Sequence, residues 1–313
     1  MFNALACIES LLKSMSDTLQ RFLFENAAIR GEIIQLDSSW QAVTESHTYP
    51  QPVKHLLGEM LSAVVLLSAT LKFSGKLSLQ LQGNGPVPLM VAECTTGQET
   101  EVRHIRGIAH YADVVPVGDL KELAGIGHLV MNLEPMGESG KEKERYQSIV
   151  ELVGHSLSDA LENYLVRSEQ LDTHLWLASS DEYCGGLLIQ RLPANDEVKD
   201  RDAWERVHKL SVTIKDDELL NLDAGEIIHR LYHEEDVRLF EKEPLKFYCP
   251  CSRERVATML RSLGYDEVKS IIEEQGLIDV ACEFCNHKYE FDAVDAEQLF
   301  ASDVSPTSPD TQH

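Results

Sequence analysis

Basic residues are scarce in this chain: Lys and Arg total 28 against 52 Asp and Glu, giving a formal net charge of −24. Nucleic-acid binding draws on cations that neutralise phosphates, so no nucleic-acid partner is expected. Uninterrupted apolar runs are scarce too. The most apolar stretch, Leu56 to Phe73, is broken by Glu59 and Lys72 and is short for a bilayer span, so membrane attachment is not expected. Met1 to Ser14 has neither a basic start nor a clean small-residue cleavage site. No G-x-S-x-G elbow and no H-E-x-x-H pair occurs, which removes the usual signatures of hydrolases. The glycines of Gly83-Asn84-Gly85-Pro86 are followed by no Lys-Ser/Thr and open no helix, so they read as a turn rather than a phosphate cradle. The chain is not expected to be an enzyme.

Cysteine is present in an odd number, seven, and four of them are clustered. That usage suits a reducing cytoplasm better than a disulfide framework. The four lie in Lys246 to Asp292 as two close pairs, Cys249-Pro250-Cys251 and Cys282-Glu283-Phe284-Cys285. Pro250 biases the first pair toward extended backbone. Alternating Ile278 and Val280, then Tyr289 and Phe291, place the second pair at the tip of a hairpin. Between the pairs Ser252 caps a helix with Val256, Met259, Leu260 and Leu263 on its apolar face, closed by Gly264. A second helix follows, with Val268, Ile271 and Ile272 inward and Gly276 as its stop. Two helices folded back on each other bring the pairs together.

Four thiolates with no open position describe a structural tetrahedral zinc (Zn2+) site, with Cys249, Cys251, Cys282 and Cys285 as ligands. The first pair is C-x-C and the gap between pairs is longer than in the commonest zinc patterns. A module of about fifty residues buries too little surface to be secure without a metal or cross-links. Structural zinc contributes about 10–16 kcal/mol that is folding energy, whereas a disulfide inside either pair offers roughly 1.5–2 kcal/mol before strain. Oxidation therefore unfolds the module. Zinc-bound sulfur is the thiolate that oxidants attack, and Lys246, Arg253 and Arg255 add positive field near the first pair. The residues alone leave two readings open, a redox switch and a permanently structural zinc. A third is a thiol-disulfide oxidoreductase using Cys282 and Cys285, although that pair does not open a helix after a strand.

The run LYHEEDVRLFE from Leu231 to Glu241, then CPCSRERV, then EQGLIDVACEFCNHKYEFD, resembles the bacterial redox-regulated holdase chaperones, the heat-shock proteins of thirty-three kilodaltons. Upstream, GEMLSAVVLLSATLKFSGKLSLQLQGNGPVPLMVAEC, YQSIVELVGHSLSDALENYL and GGLLIQRLP carry the same resemblance, which spans about Met15 to Phe300. The resemblance implies an ATP-independent holdase that loses zinc under oxidative stress and forms the disulfides Cys249–Cys251 and Cys282–Cys285. It also implies that a metastable linker then uncovers apolar surface for unfolding client proteins, and that the active form is a homodimer.

The rest of the chain reads as α+β: a mixed helix/sheet domain over residues 17–193, a helical linker over 194–245 and a small zinc module over 246–300. Residues 1–16 form an extension and 301–313 a disordered tail. Strands are expected over Thr18 to Phe24, Ala28 to Leu36, around Leu77 to Leu81, Val87 to Ala92, Val102 to His110, His128 to Leu133, Thr173 to Ala178 and Gly185 to Leu192. Helices are expected from Pro52 to Lys72, Tyr146 to Val153, Ser156 to Tyr164, Trp204 to Leu210 and Ala224 to Tyr232, the last two joined by an acidic stretch around Asp216 to Glu218. Cys94 and Cys184 read as buried inert thiols, and Cys7 as incidental. His104, His110, His128 and His155 read as isolated histidines. His229 and His233 stand four apart on a charged helix and are not taken as a second metal site.

Overall fold

The computed structural model describes residues 17–71, 74–97, 102–136, 145–193, 200 and 202–301. The expectations for residues 1–16, Cys7 among them, and for residues 302–313 lie outside the described residues. The chain divides into two compact units between Tyr248 and Cys249.

The first unit is built on a ten-stranded sheet in the order β7-β6-β3-β4-β5-β10-β1-β2-β9-β8. Its strands are β1 (Thr18–Phe24), β2 (Ile29–Leu36), β3 (Gly75–Gly83), β4 (Leu89–Thr96), β5 (Arg103–His110), β6 (Gly127–Pro135), β7 (Tyr146–Glu151), β8 (Thr173–Ser179), β9 (Cys184–Arg191) and β10 (Val237–Phe247). Neighbours are antiparallel except β10 and β5, which pair in parallel over only Leu245–Phe247 and Arg103–Ile105. Short helices α1 (Ser38–Glu45) and α3 (Leu120–Ala124) flank the long helix α2 (Gln51–Thr70).

Helix α2 is apolar nearly all round, and a helix of that kind needs burial on every side. Val53, Leu57, Met60, Leu61, Val64 and Val65 are fully buried among strands from both halves of the sheet. At 20 residues it is long and apolar enough to cross a membrane by composition, contrary to the expectation that this stretch is too short, but 78% of its most apolar window is buried inside the protein.

The four strands β1, β2, β9 and β8 have a second apolar face, because side chains alternate across a strand. Phe22, Phe24, Ile29, Ile33, Leu187 and Ile189 point away from α2. Gly31 in β2 makes room for the Phe22 ring: a Cβ there would stand 2.1 Å from Phe22 Cζ. Three helices cover this face, α5 (Ala203–Ser211), α6 (Asp216–Asn221) and α7 (Ala224–Tyr232). They contribute Val207, Leu219, Leu220, Ile227, Leu231 and Tyr232 to the shared cluster. Asp223 caps α7 by accepting from Glu226 N, while the Glu226 carboxylate returns to the Asp223 amide.

Three expectations fail here. Tyr146 to Val153 is expected as a helix, because Tyr146, Ile149, Val150 and Val153 fall at helical spacing. Residues Tyr146–Glu151 are instead strand β7, in register with His128–Leu133 of β6. Asp216 to Glu218 is not a bare acidic connection but the first turn of α6, with Glu218 bonding back to the Lys215 amide. The linker does not stay helical to residue 245, since Val237–Phe247 is strand β10 inside the sheet. Helix α4 (Leu157–Ser168) forms as expected, with Ser156 accepting from Asp159 N.

Cys94 and Cys184 are buried at 0% and 1% exposure, and burial pushes both thiols up. His155 is not isolated: its Nδ1 lies 2.7 Å from Asp119 Oδ2, and its amide donates to Asp159.

Candidate metal centre

The second unit is small. Helices α8 (Arg253–Leu263) and α9 (Tyr265–Gln275), the hairpin β11 (Ile278–Ala281) and β12 (Lys288–Phe291), and helix α10 (Ala293–Ala301) surround one cluster. Its buried members are Ala257, Leu260, Val268, Ile278, Tyr289, Phe291, Ala296 and Leu299, of which three are alanine or valine. So few large side chains bury little area, and the unit depends on another source of stability.

Local sequence explains the scaffold. Ser252 accepts from Arg255 N and starts α8, and Gly276 ends α9 in the left-handed region at φ 77°. Met259 and Leu263, expected on the inner face of α8, are 43% and 50% exposed, and Ala257 takes the inward position beside Leu260. The hairpin pairs Ile278 with Phe291 and Ala281 with Lys288, leaving Cys282 to Cys285 at the tip. Asn286 turns the chain there with φ 55°, its amide donating to Cys282 O. Asparagine tolerates that conformation better than most side chains.

The structure brings all four expected cysteines together. The sulfurs of Cys249, Cys251, Cys282 and Cys285 lie within 4.8 Å of one another, the only such group of potential metal ligands found among the described residues. Between the two pairs, Cys249 approaches Cys282 to 3.6 Å and Cys251 approaches Cys285 to 3.4 Å. Tetrahedral zinc with sulfur at about 2.3 Å requires sulfurs about 3.8 Å apart, so the spacing fits with little adjustment.

Backbone amides are aimed at the sulfurs. Burial raises the Cys282 thiol, but the amides of Cys285 and Phe284 and the neighbouring Cys249 thiol outweigh it and hold the group below its ordinary value. The amide of Cys251 bonds Cys249 and that of His287 bonds Cys285; both thiols are nonetheless pushed up, mainly by burial. Four thiolates in this volume repel one another unless a cation holds them. Soft sulfur donors, pre-aimed amides and a closed tetrahedral set suit zinc.

Two features are not visible in the sequence pattern. Tyr289 Oη donates to Cys251 Sγ at 3.2 Å, a bond between residues 38 apart. The positive charge expected near the first pair is in part neutralised: Arg253 pairs with Asp295 at 2.7 Å and stacks on Phe291, with its guanidinium carbon 4.1 Å from the ring centroid. His229 and His233 face each other edge to face at 6.2 Å and join no metal-ligand group among the described residues.

Fold and site together define a protein class: an α+β unit whose sheet carries a helix-covered apolar face, followed by a cysteine-clustered module of thin core. The chain belongs to the Hsp33 family of chaperones, whose family model, described as Hsp33 protein, matches residues 17–292. It is 46% identical over 297 residues to the 33 kDa chaperonin of Nitrosococcus oceani, covering 95% of this chain and 99% of that one. The 33 kDa chaperonin of Methylobacillus flagellatus is 44% identical over 300 residues, with 96% and 99% covered. The crystal structure of the 33 kDa chaperonin of Thermotoga maritima shares the fold, with a TM-score of 0.74 at 22% identity over 92% of this chain and 99% of that one.

Proposed function

We propose that this protein is a redox-regulated, ATP-independent holdase of the cytoplasm. One observation carries the reading: four thiols converge on one point in a unit whose own core is too thin to hold it. Zinc bound there supplies folding energy. Cys249, Cys251, Cys282 and Cys285 are its ligands, and the surrounding amides orient them.

Oxidation removes the ligands. Each pair gives two electrons to a peroxide-type oxidant, which leaves as water, and the sulfurs close as Cys249–Cys251 and Cys282–Cys285. This pairing follows family membership. Each ring spans only three or four residues and stabilises weakly, so the module loses its fold.

The client surface in this reading is the sheet face under α5, α6 and α7. Phe22, Phe24, Ile29, Ile33, Leu187 and Ile189 form a contiguous apolar patch once those helices leave, and patches of that kind bind non-native chains. The helices suit a metastable linker because their outer sides are charged, with Glu205, Arg206, Asp216 and Asp217 exposed. The partners are unfolding proteins and, in the oxidised form, a second copy of the chain. The acidic balance of −24 disfavours nucleic acid, and membranes are not a partner in this reading.

A peroxide titration tests it, with zinc release and suppression of aggregation of a heat-unfolded client followed together. Both should rise in step. Zinc retained through mild peroxide would favour a permanently structural metal, and catalytic insulin reduction with glutathione would favour an oxidoreductase.

A further inference from the structure

His174 of β8 and His208 of α5 stack face to face, their ring centroids 3.8 Å apart and their planes 9° from parallel. One belongs to the sheet and the other to the first of the helices that cover it. Trp204, one turn before His208, stacks on the same His174 ring at 5.5 Å, and Trp176 lies 6.2 Å from His208. Neither histidine entered the sequence argument, because nothing marks residues 34 apart as a pair. The parallel, face-to-face stacking excludes joint ligation of one metal ion, which would need ring nitrogens converging in their own planes.

We propose that the His174–His208 stack is an acid-sensitive latch, which holds α5 on β8 and opens when both rings must carry charge. His174 Nδ1 lies 3.0 Å from Glu162 Oε2, so one imidazolium at the stack has a carboxylate beside it. Among the described residues His208 has no hydrogen-bonded carboxylate of its own. Burial, then the adjacent His174, push the His208 imidazole below its ordinary value, with Glu162 opposing. A second positive charge would stand about a ring's thickness from the first, with little water between them.

The other ionisable groups lining this cleft are Asp159 of α4, and Lys215 and Asp216 at the start of α6. Asp216 also faces Glu59 of α2, whose carboxyl is pushed up to about 7 by burial and then by Asp216. That pair responds to acid in the opposite sense, since protonating Glu59 relieves repulsion. The two responses separate by substitution.

The sign for His208 follows from linkage. A histidine held low in the docked state binds its proton more readily once released, so docking weakens as pH falls through the free imidazole range near ~6.5. The shift in opening is bounded by the ratio of charged to neutral free imidazole, about tenfold at a pH near 5.5. The latch needs no cysteine chemistry. Only its bearing on client capture rests on the holdase reading.

The test is amide hydrogen exchange over residues 203–211 of the full-length, reduced, zinc-loaded protein near pH 7.5 and 5.5, corrected for intrinsic exchange rates, with imidazole NMR titration of both histidines. Wild type should open several-fold more, up to about tenfold, at the lower pH. His208→Gln should abolish most of that rise, as should His208→Asn, which serves if the first variant folds poorly. His174→Gln, which removes only the second of the two causes acting on His208, should reduce it. Glu59→Gln should leave the rise intact or enlarge it. Equal protection at both pH values, a rise surviving both His208 variants, or one untouched by His174→Gln overturns the latch. Because the cysteines stay reduced throughout, failure here leaves the oxidative reading untouched, and failure of the peroxide titration leaves the latch standing.

Discussion

The hydroxyl of Tyr232 sits 2.6 Å from that of Ser211, tying the last of the covering helices to the first. Both groups are buried, and Ser211 Oγ also donates to Val207 O at 2.7 Å. Below them the Tyr232 ring meets Phe24 edge to face at 5.0 Å and Phe22 at 5.9 Å. This one side chain links helix to helix and helix to sheet.

Tyr232→Phe should cost only about 1 kcal/mol, since Ser211 keeps its backbone acceptor. Tyr232→Ala removes the ring and should cost about 3–5 kcal/mol, as large-to-small core changes do. Denaturation curves check both. On the proposed function, reduced Tyr232→Ala should already suppress client aggregation without oxidant.

On the proposed function, Cys282→Ser should lower zinc affinity strongly even under reducing conditions, because it removes one of the four proposed sulfur ligands and the group that two amides hold toward the thiolate. Chelation of the wild type should act alike. A competition assay with a chromogenic chelator reports affinity, and limited proteolysis of residues 249–301 reports the fold. A variant that kept full affinity and a protected module would remove Cys282 from the ligand set.

Glu32 lies 1% exposed on β2, its Oε2 without a hydrogen-bond partner among the described residues. Burial pushes its carboxyl up to about 7, against the pull of Arg30, Arg21 and Arg103. The folded state therefore holds the proton more tightly than the unfolded chain, so stability is full below about pH 4.5 and falls as pH rises to about 7. Glu32→Gln should flatten that slope and be more stable than wild type near pH 8, by on the order of 3 kcal/mol at most. Urea unfolding across the range decides it.

Glu243 of β10 holds Arg103 of β5 at 3.1 Å and Arg21 of β1 at 3.0 Å. Glu243→Ala takes the carboxylate from both guanidinium groups where the two halves of the sheet join, leaving Arg103 its bond to Ser68 Oγ and Arg21 its exposure to water. A loss of about 2 kcal/mol is expected, below the full cost of breaking a buried pair because Glu243 is partly exposed. Glu243→Gln, which keeps hydrogen bonding, should lose less.

Punctuation residues made much of this legible. Ser156, Ser252, Gly264 and Gly276 mark helix ends by mechanisms local to the backbone, and the structure places ends there. The two cysteine pairs announced their meeting because thiols at that spacing have few other uses. What failed depended on partners distant in sequence. Tyr146–Glu151 becomes a strand because β6 offers it a ladder, which overrides a helical spacing of apolar residues. Strand β10 was hidden by its charge and by Pro244, which argues against an interior strand. Pro244 is tolerated because β10 pairs with β1 up to that residue and with β5 only from Leu245 onward. The histidine stack and the Tyr289 bond to Cys251 arise from tertiary contact alone.

The position of β10 has a consequence for reversibility. The covering helices lie between β9, which ends at Arg191, and β10, which begins at Val237, and both strands are stitched into the same sheet. On the proposed function, helices that lift away become a closed loop anchored at each end, never a loose tail. Loop closure caps the disorder they can gain and keeps them at high local concentration over the surface they left. On that reading a captured chain must compete with a tethered lid for the same ground, a built-in means of letting go.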